Sequence, residues 1–125
     1  MPAVLDPEAL ETMRQMAGED AIAFLTDIID CYLQETPGLF QSLRVALTAQ
    51  DMATFRRTTH TLKSSSATLG ASNLIHLCQD LQQIPLDQVA TIENYLNQLE
   101  VEYHQVKLAL QVELSHLGLN RDSLL

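Results

Sequence analysis

Apolar residues recur at intervals of three and four along most of the chain. This spacing places them on one side of an α-helix, so it predicts a series of helices with one buried face each. The first is short: Asp6 and Pro7 form an N-cap and a proline at the first helical position, and Gly18 ends it. It has enough apolar residues to cover one end of a bundle but too few to form a core layer.

A long second helix is predicted from about residue 20 to residue 49, with a kink at Pro37. A proline inside a helix removes a backbone hydrogen bond and favours a break. The apolar spacing nevertheless continues across Pro37 without a change of phase, and a loop would normally disrupt that phase. One kinked helix is therefore favoured over two separate helices.

A third helix is predicted to begin at its N-cap, Asp51, and to stop at Gly70. Its buried stripe consists of small and apolar residues: Met52, Phe55, Thr59, Leu62, Ser66 and Leu69. His60 lies off this stripe. At about 100° per residue it shares the solvent-facing side with short and basic side chains, namely Arg56, Arg57, Lys63, Ser64 and Ala67.

Two further helices complete the predicted fold. Ser72 is expected to cap the fourth, Asp87 opens the fifth, and Gly118 ends it, after which residues 119–125 are expected to fray. Short links make neighbouring helices antiparallel. The pattern thus predicts an all-α, antiparallel up-down-up-down four-helix bundle with a short N-terminal capping helix, in a single domain over residues 1–125.

The composition agrees with helix packing and indicates the cellular compartment of the protein. The 125 residues are 46% hydrophobic but only 5% aromatic, which suits helix-on-helix contacts. No apolar run approaches the roughly 18 residues of a membrane span, and the N-terminus lacks the features of a signal peptide. We expect a cytoplasmic protein in which Cys31 and Cys78 are buried free thiols.

The formal net charge of −9 argues against nucleic acid and anionic membranes as partners. Three of the seven basic residues, Arg56, Arg57 and Lys63, nevertheless lie within about one turn of His60. They are either ordinary solvated charges or a basic patch suited to an acidic partner.

An exposed histidine between cations has a specific chemical use. A neutral imidazole is a nucleophile near pH 7, because its unperturbed pKa is about 6.5. The neighbouring cations would attract a phosphate and stabilise a phosphorylated product. The alternative is a surface histidine without a role.

Other kinds of site find less support. The remaining histidines, His76, His104 and His116, do not form the i, i+4 pairs expected of a metal site. The sequence lacks a Gly-rich phosphate loop, which argues against ATP binding and autonomous kinase activity. Ser64 lies one turn after His60, but no orienting acid or nucleophile elbow accompanies it, which argues against a serine hydrolase.

The segment from His60 to Lys63, the Ser/Ala run after it and Leu69-Gly70-Ala71 together resemble the signature of histidine-containing phosphotransfer (HPt) domains. The similarity extends upstream over residues 39–51 and downstream over residues 74–82. HPt domains are helical modules that relay phosphoryl groups between response-regulator receiver domains. The sequence departs from the family at Ser64, where glycine is usual.

The resemblance implies a role for each site residue. His60 would be the phosphoacceptor, attacking through the ring nitrogen farther from the backbone. Lys63 would offset charge on the transferring group, while Gln82 and Ser64 would offer it hydrogen bonds. The protein would hold no cofactor, because Mg²⁺ would come with the receiver domain.

The implied partners are response-regulator receiver domains and a hybrid histidine kinase, bound by a monomer. The docking surface would be the small and apolar skin around His60, from its own helix and the kinked helix. Its partner-binding residues would be Arg56, Arg57, Lys63, Ser64 and Ala67.

Two alternatives stay open within the same fold. Ser64 would suit a module that binds or sequesters a response regulator without transferring phosphate. The chain would also suit the phosphoacceptor domain of a chemotaxis-type histidine kinase. The compact length and Met1 favour a free-standing protein or a terminal domain of a hybrid kinase.

Overall fold

The computed structural model describes residues 4–123, and the side chains of residues 4–117. Over these residues the chain is helical and contains no β-strand. The elements are α1 (Pro7–Ala17), a 3-10 turn (Gly18–Asp20), α2 (Ala21–Ala49), α3 (Met52–Thr68), α4 (Ser72–Gln82) and α5 (Val89–Ser123).

Helices α2 to α5 form the predicted antiparallel bundle. α2 packs against α3 and α5, and α4 packs against the same two helices, so the bundle closes between its first and last members. α1 packs against α2 and covers one end. There the Asp6 amide donates to the Gly70 carbonyl oxygen at 2.8 Å, and the Arg14 guanidinium contacts the Glu113 carboxylate of α5 at 3.1 Å.

The core lies along the bundle axis and is mostly leucine. Its fully buried large side chains come from all four bundle helices and include Leu25, Ile29, Leu43, Leu62, Leu74, Leu96 and Leu110. Burying each such side chain contributes about 1.5–3 kcal/mol. Among the described side chains, no buried nitrogen or oxygen lacks a hydrogen-bond partner.

α2 runs without interruption through Pro37, as the apolar spacing predicts. Pro37 has no N–H to donate to the Leu33 carbonyl one turn earlier. The Tyr103 hydroxyl of α5 donates to that oxygen instead, at 3.3 Å. The Tyr103 ring also packs against Phe40, with ring centroids 5.6 Å apart. A neighbouring helix thus supplies the donor that the proline lacks.

Both predicted ends of α3 are confirmed. The Asp51 carboxylate accepts from the Thr54 amide at 3.1 Å and from the Thr54 hydroxyl at 2.7 Å. Gly70 lies just beyond the helix with a φ of +72°, and a Cβ there would stand 2.9 Å from the Cβ atoms of Asp6 and Ala9. Glycine is needed at this turn both for its backbone conformation and for the close approach of α1.

Three predicted boundaries are wrong. Ser72 is the first helical residue of α4, and the cap position is Ala71, which makes no side-chain hydrogen bond. α5 begins at Val89, after Asp87, because the Ile92 amide bonds to the Gln88 carbonyl.

Gly118 does not end α5, which continues to Ser123. A helical glycine costs only about 1 kcal/mol. Fraying of residues 119–125 stays a prediction, since their side chains, and residues 124–125 entirely, lie outside the described part of the chain.

The two cysteines differ in solvent exposure. Cys78 is buried, as predicted, and burial raises its pKa to about 12. Cys31 is exposed, so that prediction is wrong. The core positions in this part of α2 are taken by Ile29 and Tyr32, and helical geometry then turns residue 31 outward. Met52, at the open start of α3, is likewise exposed rather than buried.

Candidate functional site

His60 lies in the middle of α3 with its side chain exposed, while Phe55, Thr59 and Leu62 of the same helix are buried. The helix is regular around it, and the Thr59 hydroxyl is bonded to the Phe55 carbonyl oxygen at 2.8 Å. Within the part of the chain whose side chains are described, no hydrogen bond or ion pair involves the imidazole. Both ring nitrogens are therefore available to an approaching group.

The basic residues around His60 differ from the other described arginines. Arg14 and Arg44 form ion pairs with acidic residues of α5. Over residues 4–117, by contrast, no ion pair involves Arg56, Arg57 or Lys63. Arg57 donates a long hydrogen bond of 3.5 Å to the Thr54 hydroxyl. Over α3 itself, residues 52–68 carry three basic side chains and no acidic one. The surface around His60 is thus locally cationic on an acidic protein.

Gln82 joins this surface from α4. Its side-chain oxygen accepts a hydrogen bond from the Lys63 ammonium at 3.4 Å. Gln82 also lines a cavity of about 10 Å³ together with Arg56 and Thr59. Since residues 56, 59 and 63 bracket position 60, Gln82 lies beside α3 at the level of His60. The cavity has room for about one water molecule, and His60 itself does not line it.

Ser64 and Ala67 follow His60 on the outer side of α3, and both are exposed. Their short side chains leave open space beside the imidazole. Nearby hydroxyls are engaged with their own helix: Thr61 donates to the Arg57 carbonyl and Thr68 to the Ser64 carbonyl. The Ser64 hydroxyl makes no hydrogen bond within residues 4–117. It is therefore free to contact a group placed on His60.

Among the described residues, no group of three or more histidine, cysteine or carboxylate side chains is placed to hold a metal ion. His76, His104 and His116 are exposed on α4 and α5. As for the membrane, none of the described helices combines the length and hydrophobicity needed to cross a bilayer.

A model of one protein family, the Hpt domain, matches residues 27–115. This span includes α3 and reaches into α2 and α5. The chain belongs to the Hpt domain family. It is a phosphorelay protein, and proteins of this family interact with receiver domains and histidine kinases.

The fold also matches a solved Hpt structure. The crystal structure of histidine-containing phosphotransfer protein B (HptB) from Pseudomonas aeruginosa PAO1 superposes with a TM-score of 0.79 at 21% sequence identity. The match covers 93% of this chain and 98% of that one, so the two share the whole bundle. No curated protein matches the sequence.

Sequence reasoning missed a groove of about 400 Å³ between α2 and α3. Phe24 and Ile28 form part of its apolar floor, Asp27 and Glu35 its edge, and Thr68 lies on its α3 side. We call this the α2–α3 groove. Phe24 could have indicated the groove from the sequence, because this large aromatic residue falls off the predicted buried stripe. In the structure it is 41% exposed.

Proposed function

We propose that His60 is the phosphoacceptor of a phosphorelay. It would take a phosphoryl group from a receiver-domain aspartyl phosphate and pass it to the aspartate of another receiver. The observation that carries this proposal is the exposed, unbonded imidazole on a regular helix, within a group of cations that have no ion-pair partner among the described residues. Because the chain belongs to the Hpt domain family, phosphoryl transfer is the reaction that we assign to this imidazole.

The transfer needs only a positioned nucleophile. The lone pair on Nε2 of the neutral ring attacks phosphorus in line with the bond to the aspartate oxygen. An N–P bond forms, the P–O bond breaks, and its electron pair leaves with the aspartate carboxylate. The ring keeps its proton on Nδ1 and carries a positive charge until a second aspartate carboxylate attacks the phosphorus. Nε2 then recovers its lone pair.

The neighbours of His60 act on charge and orientation. Lys63 offsets negative charge on the transferring oxygens, and its contact with Gln82 keeps the ammonium beside α3. Gln82 and Ser64 offer hydrogen bonds to those oxygens. The Mg²⁺ that transfer requires belongs to the receiver domain, so this chain needs no cofactor of its own.

The docking surface would be the outer side of α3 with the adjoining side of α2. Arg56, Arg57 and Lys63 would face the acidic pocket of the receiver, and Ser64 and Ala67 would let it approach the ring. A contact of this kind is modest in area and readily reversible. One copy of His60 suffices for transfer, so we expect a monomer that works in the cytoplasm with a hybrid histidine kinase.

The test is phosphoryl uptake. Wild type, His60→Gln and His76→Gln are incubated with a phosphorylated receiver domain and Mg²⁺, and acid-labile, base-stable phosphate is followed. We expect label on wild type and on the His76 control, none on His60→Gln, and no transfer after chelation of Mg²⁺. Equal labelling of all three proteins would contradict the proposal.

Ser64 favours a second candidate, a module that sequesters a receiver. Its hydroxyl and Cβ stand where the family usually has glycine, and both are exposed. Receiver binding without uptake by wild type, with uptake restored in Ser64→Gly, would support sequestration.

A further inference from the structure

The outer side of α5 differs from that of α3 in having a long strip without acids, lysines or arginines. Between residues 94 and 115, the exposed side chains within about 50° of a line through Val101 and Leu108 are all amides, aliphatic residues, serine or histidine. They extend for about 32 Å along the helix. We call this set the α5 outer strip: Asn94, Asn97, Val101, His104, Gln105, Leu108, Val112 and Ser115. Its three aliphatic residues are 46–65% exposed.

The acids of this part of α5 lie on the flanks of the strip and are used within the chain. Those bonded to side chains of α2, α4 and α1 are, respectively, Glu100, Glu102 and Glu113. Charged residues make up about a quarter of an average domain, so eight exposed positions would ordinarily include about two of them. Loss of charge around exposed aliphatic side chains is typical of the centre of a protein–protein interface.

The strip faces away from His60. Helices α2 and α4 each pack against both α3 and α5, so α3 and α5 occupy opposite corners of the bundle. With neighbouring axes about 10 Å apart, the outer sides of the two diagonal helices are about 25 Å apart. A partner seated on the strip therefore leaves the imidazole open to a receiver domain.

The shape and spacing of the strip suit one α-helix. Its central residues follow one another at intervals of four, three and four, the spacing of the seam along which two helices pack: Val101, Gln105, Leu108 and Val112. The rest of the protein is acidic, with a net charge of −9, and would repel an acidic helix. A basic helix would find no counter-charge on the strip. The fitting occupant is a helix with an aliphatic, uncharged contact face.

The area of the strip restricts the choice of partner. At about 32 Å by 10 Å it offers about 320 Å², well below the roughly 800 Å² that each partner buries in a standard interface. A second copy of the chain, free in solution, would not form a stable dimer through the strip alone. A protein already attached at His60 can use so small a contact, because tethering gives its helix an effective concentration in the millimolar range. A hybrid histidine kinase whose own receiver domain reacts with His60 meets this condition.

We propose that the α5 outer strip binds an α-helix of the hybrid histidine kinase, outside its receiver domain, through an aliphatic and uncharged face. This inference rests on the proposed function. The kinase holds the chain from the side opposite His60. Its receiver can then leave the imidazole, and the next receiver can take its place, while the chain stays bound to the kinase.

The test places charges on the strip. In the variant Val101→Glu/Leu108→Glu, two exposed aliphatic residues of the strip become acidic. The control Gln88→Glu/Val89→Glu adds the same two charges at exposed positions at the start of α5, outside the strip.

Wild type and both variants are phosphorylated by three donors in the presence of Mg²⁺. The first is phosphoramidate, a small molecule that does not dock. The second is the isolated, phosphorylated receiver domain of the kinase, and the third is the full-length kinase previously phosphorylated with ATP. The kinase is the one that phosphorylates wild type most rapidly among a purified set.

With the full-length kinase, the half-saturating concentration of the strip variant should be about tenfold higher than that of wild type. Its maximal rate should be unchanged, because the added charges weaken binding and leave the imidazole as it is. Phosphoramidate and the isolated receiver should phosphorylate the strip variant within about twofold of wild type, which shows that its fold and reactive surface are intact. The control variant should stay within about twofold of wild type with all three donors.

Equal half-saturating concentrations for the strip variant and wild type with the full-length kinase would overturn the inference. Equal slowing by the kinase and by its isolated receiver would also overturn it, since the effect would then lie at the reactive surface. Sedimentation velocity tests the second copy: a wild-type dimer that is lost in the strip variant would assign the strip to self-association instead. Failure of all three donors to label His60 would overturn the proposed function, and with it this inference.

Discussion

The inner and outer faces of α3 differ in how completely their polar groups are satisfied. On the inner face, Leu62 and Ser66 are fully buried, and the Ser66 hydroxyl bonds to the Tyr32 hydroxyl of α2 at 2.9 Å. On the outer face, His60 and Arg56 are exposed and make no hydrogen bond or ion pair within residues 4–117.

This difference separates stability from chemistry on one helix. The inner face fixes the position of α3 in the bundle, and the outer face presents groups whose partners come from another molecule. Residues three or four apart share one face of an α-helix, whereas residues 60 and 62 fall on opposite faces. Changes at these two positions should therefore have different kinds of effect.

The largest effect expected is loss of stability on the inner face. Leu62→Ala should lower the free energy of unfolding by about 2–5 kcal/mol, because it removes a fully buried side chain and leaves a cavity. Urea unfolding followed by circular dichroism measures this. His60→Gln, two residues away, should change the value by less than about 0.5 kcal/mol, as surface substitutions do. Similar losses in both variants would remove the distinction between the faces.

Two glycines offer the next comparison. Gly70→Ala should destabilise by about 1–3 kcal/mol, because its φ is +72° and the new Cβ would meet Asp6 and Ala9. Gly38→Ala lies inside α2 with open space around the new Cβ, and should stabilise by up to about 1 kcal/mol. Thermal unfolding of both variants checks the signs. A stabilising Gly70→Ala would show that α1 does not pack on this turn as described.

The hydroxyl of Tyr103 should raise the free energy of unfolding by about 1 kcal/mol. Tyr103→Phe leaves the Leu33 carbonyl without the donor that replaces the missing N–H of Pro37. Tyr95→Phe, a half-buried tyrosine on the same helix with no hydroxyl hydrogen bond in the described residues, should be nearly neutral. Equal unfolding midpoints in urea for the two variants would mean that α2 tolerates Pro37 without help from α5.

The smallest effect concerns the start of α3. Hydrogen bonds from the Thr54 side chain and backbone lower the pKa of Asp51. The pKa is lower in the folded protein than in the unfolded chain, so the stabilisation is present above the unfolded pKa of about 3.9. It is lost as the pH falls through the folded pKa.

The free energy of unfolding should therefore fall less between pH 5 and pH 2.5 in Asp51→Asn than in wild type. Urea titrations at the two pH values measure this. Glu8→Gln, a substitution of an exposed acid on α1, is the control for general charge effects. A fall of equal size in wild type and Asp51→Asn would contradict the role of this cap.

Periodicity was enough to predict most of this arrangement. The exposure of His60 and the continuity of α2 through Pro37 follow from the phase of apolar residues, which is a local property of the sequence. The ends of α3 follow from the capping chemistry of Asp51 and Gly70.

The errors and omissions arise where packing overrides local signals or where distant residues meet. Gly118 does not end α5, because a small local cost does not break an otherwise continuous helix. The contacts between Lys63 and Gln82 and between Tyr103 and Leu33 join different helices, and spacing within one helix does not contain them. Gln82 is predicted by the resemblance to HPt domains and not by the helix pattern.

The most direct test of the central claim is the site of phosphorylation on the intact protein. Protein labelled with ¹⁵N at its four histidines would be phosphorylated by a receiver domain and Mg²⁺, and the ring nitrogens followed by long-range ¹H–¹⁵N correlation. We predict that the ring nitrogens of His60 shift more than those of the other histidines and that Nε2 of His60 alone couples to ³¹P. Coupling at His76, His104 or His116, or at Nδ1 of His60, would contradict the assignment of the outer face of α3 as the reactive surface.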